Sequence, residues 1–215
     1  DVPKDPIGNI IINHGFAEHC SRYDYIAQSF NEARLGVYRY DLRGHGRTKS
    51  VKGHIDNFMD FAYDADNMVN LIKEEAPDLP LFMMGHSMGG FITCLYGIEY
   101  PNKLDGQIFS GAAVGRLPRV EGIKGDLYRL INMFFPKILV KNNISKDICS
   151  LSKVVEEYEE DSLVLKEATL NFYVQFLVKG VDWIKDNIER YRYPCLITHG
   201  EKDKIVPKEI LKIYI

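Results

Sequence analysis

The sequence lacks the features that mark zinc sites, disulfide frameworks, membrane spans and nucleic-acid binding. Its four cysteines, Cys20, Cys94, Cys149 and Cys195, are scattered without CxxC spacing, which argues against a zinc site or disulfide framework and suits a reducing compartment. No apolar run approaches the roughly 18 residues of a membrane-spanning helix. The net charge is −3 and there is no basic block, so we expect no nucleic-acid partner.

The composition is that of an ordinary globular protein. Hydrophobic residues make up 46% of the 215 positions and charged residues 27%, enough for one large domain with a sizeable core. The chain begins with Asp1 and a strand pattern follows within ten residues. We therefore expect a single domain over residues 1–215 that is incomplete at both ends, in a cytoplasmic or peripheral membrane protein.

Short apolar runs alternate with amphipathic helical patterns along most of the chain. The runs predict strands at residues 9–13, 37–41, 81–84, 106–110 and 195–198. Helices are predicted at residues 22–33, closed by Leu35 and Gly36, at residues 58–72, and from Ser87 onward. This alternation is typical of an α/β fold, with a mostly parallel sheet and helices on both faces.

The alternation stops between residues 110 and 194. Mostly helical patterns and no convincing strand predict a cap insertion at about residues 112–190, over the carboxyl edge of the sheet. It includes a helix over residues 127–135 that ends at Pro136, and a buried helix over residues 163–177. The acidic run at residues 156–161 predicts a solvent-facing surface.

The segment GHSMG at residues 85–89 fits the G-x-S-x-G pattern of a nucleophilic serine. It follows an apolar strand and opens a helix, so Ser87 is predicted at the tip of a sharp turn where a side chain at either glycine would clash. The helix start also supplies a backbone N–H, that of Met88, and the positive end of the helix dipole. The alternative is a tight turn without chemistry.

Two further loops follow predicted strands and complete the candidate site. In this architecture the loop after residues 9–13 supplies an oxyanion-hole donor, here the N–H of Phe16, beside that of Met88. We expect His14 and His19 in the first loop to be structural. After the last strand we favour Asp203 over Glu201 as the catalytic acid, the alternative being a surface turn.

The motifs together resemble α/β-hydrolases of the monoacylglycerol lipase and lysophospholipase group, which includes serine aminopeptidase S33-like hydrolases. GHSMGG at residues 85–90 matches the motif of that group outright. Ser162 stands where the group usually has proline. The other matching segments are HGFAEHCSRY (14–23), DLRGHGRT (41–48), YEEDSLV (158–164) and PCLITHGEKDKIVP (194–207). We expect the 41–48 loop to be structural, with an aspartate and an arginine able to pair.

The resemblance implies that Ser87 is the nucleophile, Asp203 the acid, and Phe16 and Met88 the oxyanion donors, beneath a helical cap that receives an acyl chain. It also implies a catalytic histidine in a loop downstream of Asp203. All six histidines lie at or before position 199. We therefore expect the base beyond Ile215.

The resulting hypothesis is a serine carboxylester hydrolase that acts on lipid esters, with no metal or organic cofactor implied. A broad small-ester esterase or peptidase, and a non-catalytic hydrolase-fold binding protein, remain as alternatives. In the cap, Leu130, Met133, Phe134 and Phe135 are predicted to bind substrate. Their apolar side chains suit helix packing onto the sheet, an acyl funnel, or peripheral membrane contact.

Overall fold

A computed structural model describes the backbone of residues 1–213 and the side chains of residues 1–118 and 120–210. Tyr214 and Ile215, the last two residues of the predicted domain, lie outside the described residues.

The centre of the molecule is a five-stranded parallel sheet in the order β2-β1-β3-β4-β7. The direction of strand addition reverses between β1 and β3, so their carboxyl ends border the crevice where such sheets bind ligands. The α/β prediction is confirmed. The strands are β1 (Gly8–Asn13), β2 (Leu35–Arg39), β3 (Leu81–His86), β4 (Gly106–Ser110) and β7 (Cys195–Thr198).

Both faces of the sheet are covered, which explains why its strands are continuously apolar. Ile10 and Ile12 pack on one side with Ala27 of α1, whereas Ile11 packs on the other side with Val69 of α2. The helices next to these strands are α1 (Asp24–Glu32), α2 (Met59–Glu75) and α3 (Met88–Glu99).

One predicted boundary is wrong. Leu35 and Gly36 do not close the first helix but begin β2, because they pair with Gly8 and Asn9 of β1. The helix itself ends at Glu32 and is preceded by a 3-10 turn at Cys20–Tyr23.

The cap, residues 112–190, contains more than helices. β5 (Leu139–Lys141) and β6 (Glu167–Thr169) form an antiparallel pair, so the prediction of no strand is wrong and the helix expected over residues 163–177 starts only at Leu170. Three-residue strands are too short to leave a period-two pattern. The cap helices are α4 (Ile123–Phe134), α5 (Ser152–Glu160), α6 (Leu170–Val174), the π-helical stretch Gln175–Gly180 and α7 (Val181–Asn187).

Short 3-10 helices complete the described chain, at Pro118–Val120, Ser145–Asp147, Ile188–Arg190 and Lys208–Ile213. Within the described residues, none of the helices combines the length and the apolarity needed to cross a membrane.

Candidate active site

Ser87 occupies a strained turn between β3 and α3. Its φ is +52°, a region that side chains other than glycine rarely adopt. Such strain persists when the surroundings hold it. Ser87 N–H donates to Ser110 O at 2.9 Å, and Ser87 O accepts from Ala113 N–H at 3.0 Å and Phe91 N–H at 3.2 Å. The backbone therefore fixes the serine at the tip of the turn.

The glycines around Ser87 permit a close approach of backbones. A Cβ on Gly89 would overlap the carbonyl oxygens of Asn13 and His14, and one on Gly90 would overlap Ala112. The start of α3 therefore lies directly against the end of β1. This packing brings Ser87 beside the loop that follows β1, as the pattern predicted.

That loop, residues 14–19, is called the oxyanion loop below. Gly15 N–H donates to Glu18 Oε1 at 2.6 Å, and Ala17 has a φ of +68°. Within the described chain, neither Phe16 N–H nor Met88 N–H donates to a protein acceptor; Met88 is the first residue of α3, where helical partners are absent. Two unpaired donors thus lie on either side of the serine turn.

Three of the predicted site residues line one cavity of about 660 Å³. Ser87 follows β3 and Phe16 lies in the loop after β1, both at the carboxyl edge of the sheet, and Asp203 lies on the loop after β7. The side chain of Met88 is fully buried, so this residue can offer only its backbone N–H. We call this cavity the catalytic cavity.

Two backbone N–H groups hold one carboxylate oxygen of Asp203. Its Oδ1 accepts from the N–H groups of Ile205 and Val206, each at 2.9 Å. A Cβ on Gly111 would lie 3.4 Å from Oδ2, which places that oxygen beside the loop after β4. Glu201, the rejected alternative, has an 85% exposed side chain paired with Lys208 at 4.0 Å. The geometry favours Asp203 as the acid.

Each of the six histidines has a partner other than Ser87. His199 Nε2 donates to Val206 O at 2.8 Å and lies 3.6 Å from Asp203 Oδ2, so its proton is committed to a carbonyl. Within the described chain no histidine hydrogen-bonds Ser87. The other partners are Gly15 O for His14, Asp161 for His19, Arg43 O for His45, Thr169 for His54 and Ser110 O for His86.

His14 and His45 are neutral structural groups. Burial lowers the pKa of His14 to about 3, with the neighbouring His45 adding to the effect, and burial lowers the pKa of His45 to about 4. His14 Nε2 accepts from Leu42 N–H at 2.9 Å, which ties the oxyanion loop to the loop after β2. The expectation that His14 is structural agrees with these contacts.

The loop after β2 is built differently from the expectation. Asp41 does not pair with an arginine side chain there: its Oδ1 accepts from Cys20 N–H at 2.9 Å and its Oδ2 from Arg47 N–H at 2.6 Å. Arg43 instead forms a bidentate pair with Asp64 of α2, at 2.9 and 2.7 Å. The loop is a structural brace.

A second cavity of about 210 Å³ lies between the catalytic cavity and the cap. It shares Phe16 and Ile144 with the catalytic cavity and is mostly apolar, so we call it the apolar cavity. Apart from Phe16, the sequence motifs missed its lining. Its other residues are Val120, Tyr128, Val140, Lys141, Asn142, Asn143, Leu170, Tyr173, Val174, Leu177 and Val178.

The four cap residues predicted to bind substrate lie elsewhere. Leu130, Met133, Phe134 and Phe135 are 54%, 76%, 69% and 59% exposed, and none lines either cavity. The inner side of α4 is polar, since its buried Asn132 donates to Asn171 at 2.8 Å. The structure thus places these four residues on an outward apolar face.

The acidic run at residues 156–161 is not wholly solvent-facing, which corrects the expectation. Tyr158 is buried, and Asp161 Oδ2 lies 2.7 Å from His19 Nε2. Burial alone would raise the pKa of Asp161, but hydrogen bonds from His19 and Leu163 N–H outweigh it and hold that pKa below its ordinary value. The end of the run therefore docks the cap on the oxyanion loop.

The family model described as "Serine aminopeptidase, S33" matches residues 4–212. A monoacylglycerol lipase of Mycolicibacterium smegmatis is 31% identical over 94% of this chain and 72% of its own length. The monoglyceride lipase of Rattus norvegicus is 28% identical over 93% of this chain and 66% of its own length. The chain thus spans about two thirds of these curated relatives.

The fold has close counterparts among solved structures. The crystal structure of the monoacylglycerol lipase of Paleococcus ferrophilus superposes with a TM-score of 0.86 at 25% sequence identity, over 98% of this chain and 80% of the other. The similarity therefore includes the cap as well as the sheet.

Proposed function

This chain belongs to the serine aminopeptidase S33 family of α/β-hydrolases, and we propose that it is a serine carboxylester hydrolase that cleaves monoacylglycerols or lysophospholipids. One observation carries the proposal: Ser87, at a strained strand-to-helix turn, shares a cavity with the oxyanion loop and with Asp203. The names of its relatives, which include lipases of monoacylglycerols, support the same substrate class.

The reaction is acyl transfer to water. Ser87 Oγ attacks the ester carbonyl while a histidine expected beyond Ile215 takes its proton, and Asp203 Oδ2 holds that histidine. The N–H groups of Phe16 and Met88 bind the oxyanion that develops. Water then releases the fatty acid, with the histidine returning a proton to the leaving alcohol before this second step.

The two cavities divide the substrate between them. The catalytic cavity takes the ester and the polar head, because charged residues such as Glu18, Arg22 and Lys202 line it. The apolar cavity takes the acyl chain, since burying each CH₂ group there contributes about 0.8 kcal/mol. Phe16 and Ile144 mark the junction.

The outward face of α4 favours contact with a lipid surface. Met133 and Phe134 expose most of their side chains, while Asn132 and Gly125 of the same helix are buried. A helix that faces its apolar side outward leaves that side free to enter the acyl boundary of a membrane. We include peripheral membrane contact through the cap in the proposed function.

The test is a chain-length series with the full-length protein. A fluorophosphonate probe should label Ser87, identified by peptide mass spectrometry, and kcat/KM for monoacylglycerols should rise with acyl length until the apolar cavity is filled. Equal rates for acetyl and longer esters would favour the small-ester esterase instead. Absence of both labelling and turnover would favour a non-catalytic binding protein.

A further inference from the structure

The cap holds the oxyanion loop at two points. Ala17 O accepts from Leu165 N–H at 2.8 Å, and His19 Nε2–H donates to Asp161 Oδ2 at 2.7 Å. Asp161 and Leu165 belong to the same turn, which Leu163 N–H closes by donating to Asp161 Oδ1 at 2.8 Å. A single cap turn therefore contacts the loop at Ala17 and at His19, directly after Phe16.

The oxyanion loop is supported from outside as well as from within. Ala17 is fully buried with φ at +68°, a left-handed conformation that residues other than glycine rarely adopt. Strained residues keep this conformation when their neighbours over-determine it. Within the loop itself, Gly15 N–H donates to Glu18 Oε1 and the His14 ring hydrogen-bonds Gly15 O. The cap adds the contacts to Ala17 and His19.

The His19–Asp161 bond is partly shielded from water. The side chains of His19 and Asp161 are 6% and 22% exposed, so the bond is less weakened by water than a fully exposed surface pair. Arg22 completes the contact from the core side: its guanidinium lies 4.0 Å from Asp161, 3.5 Å from Glu18 and 5.1 Å from the centre of the Tyr158 ring. The core and cap meet here through a small, specific network.

We propose that the His19–Asp161 hydrogen bond is a positioning contact for the oxyanion donor Phe16 N–H, through which docking of the cap sets kcat. The inference rests on the proposed function of the Ser87 site. Phe16 N–H acts on charge that develops in the transition state, and loss of such a donor costs about 10²–10³ in kcat. A misplaced donor costs part of that, whereas the other residues that line the apolar cavity do not contact this bond, so we expect KM to change little.

The test compares two replacements of His19 in the full-length protein. His19→Leu keeps bulk but removes the donor to Asp161, so kcat for a monoacylglycerol should fall tenfold to a hundredfold while KM changes less than about twofold. His19→Gln places an amide N–H near the position of Nε2 and should restore most of kcat. Asp161→Leu removes the acceptor of the same bond from the cap side and should reproduce the fall.

A trifluoromethyl ketone gives a readout that a general loss of stability would not move. Its serine adduct carries an oxyanion, so its inhibition constant should rise in parallel with the fall of kcat in His19→Leu and Asp161→Leu. The control is Arg116→Gln, which removes a pair with Asp182 at 2.7 Å whose side chains are 24% and 26% exposed and which does not touch the oxyanion loop. This control should keep kcat and ketone affinity.

The outcomes separate the inference from its premise. Wild-type kcat and ketone affinity in His19→Leu would overturn the positioning role, as would an equal loss in Arg116→Gln, while the proposed function stands. Wild-type protein that neither hydrolyses esters nor binds the ketone would refute the proposed function and this inference with it.

Discussion

The turn at Ser87 and the cap above it are held by different kinds of contact. The turn is fixed by backbone hydrogen bonds, in which Ser87 N–H donates to Ser110 O and Ala113 N–H donates to Ser87 O, and by a glycine that lets α3 touch the end of β1. The cap meets the core through side chains as well, including the His19–Asp161 bond and the bond from Asn171 Nδ2 to Ile55 O. Ser87, the proposed nucleophile, is thus held by the backbone of the core.

The backbone contacts at the Ser87 turn are harder to change than the side-chain contacts of the cap. Backbone packing at native density tolerates little displacement, so the position of Ser87 is set when the sheet folds. Side-chain pairs at a partly exposed boundary can be broken one at a time, each at a modest cost. In the proposed function the chemistry therefore lies at the sheet edge, whereas we expect the cap to control access and substrate selection.

The largest effect on turnover is expected from removing the Ser87 hydroxyl. Ser87→Ala in the full-length protein should lower turnover by about 10⁶-fold, because the hydroxyl is the group that the acyl chain bonds to. Initial rates on a monoacylglycerol measure this. Ser29→Ala, an exposed serine of α1, should keep wild-type rates, and retention of most activity in Ser87→Ala would refute the assignment.

The packing of the turn is tested by Gly89→Ala. The added Cβ overlaps the carbonyl oxygens of Asn13 and His14, so we expect the unfolding free energy to fall by about 3 kcal/mol or more. Gly122→Ala is the matched control in the cap: its Cβ meets nothing within 4 Å and only its φ of +60° is strained, which costs about 1 kcal/mol. Equal urea midpoints for the two variants would contradict the contrast.

We expect the pH dependence of stability to come in part from two buried histidines of the core, His14 and His45. His14 and His45 take up protons near pH 6.5 in the unfolded chain but only near pH 3 and 4 when folded. Acidification therefore favours unfolding. Between pH 7.5 and pH 5.5, each histidine lowers the free energy of unfolding by about 1.4 kcal/mol. Urea unfolding at the two pH values measures the sum, about 3 kcal/mol.

A matched variant assigns the effect to one of the two histidines. His14→Gln keeps an acceptor for Leu42 N–H but cannot titrate, so it should lose about half of the pH dependence. A variant that retains the full dependence would mean that His14 is not the source.

The smallest effect is expected at the outer face of the cap. The double variant Met133→Ser with Phe134→Ser should lower the fraction bound to phosphatidylcholine vesicles at least about tenfold, because two exposed apolar side chains no longer enter the lipid. Rates on a water-soluble ester should not change. Tyr25→Ser, exposed on α1, is the control; if it reduces binding equally, the α4 face is not the membrane contact.

The same contrast explains what the sequence could predict. The strands at residues 106–110 and 195–198 and the serine turn follow from local patterns, because apolar runs and glycines act on their immediate neighbours. The β5–β6 pair and the docking of Asp161 on His19 depend on residues that are distant in sequence. No local pattern records such partners.

The sequence left the direction of the apolar side of α4 open for a related physical reason. Its apolar spacing is that of an ordinary amphipathic helix, and periodicity alone does not say which neighbour covers the apolar side. Asn132 and its partner Asn171 settle the orientation, and they are 39 residues apart. The apolar cavity was missed similarly, since its lining comes from several separate elements of the cap.

Phe16 belongs to both cavities through different atoms. Its backbone N–H lies in the oxyanion loop, while its ring packs against Phe172 and Tyr173 at centroid distances of 5.3 and 5.4 Å beside the apolar cavity. We therefore expect a replacement of Phe16 that moves the loop to change the acyl-chain preference and the catalytic rate together. In enzyme engineering, a change at Phe16 would therefore alter two properties that are better varied separately. Variants with a different chain-length preference are better sought at Tyr128 or Leu177, which line the apolar cavity.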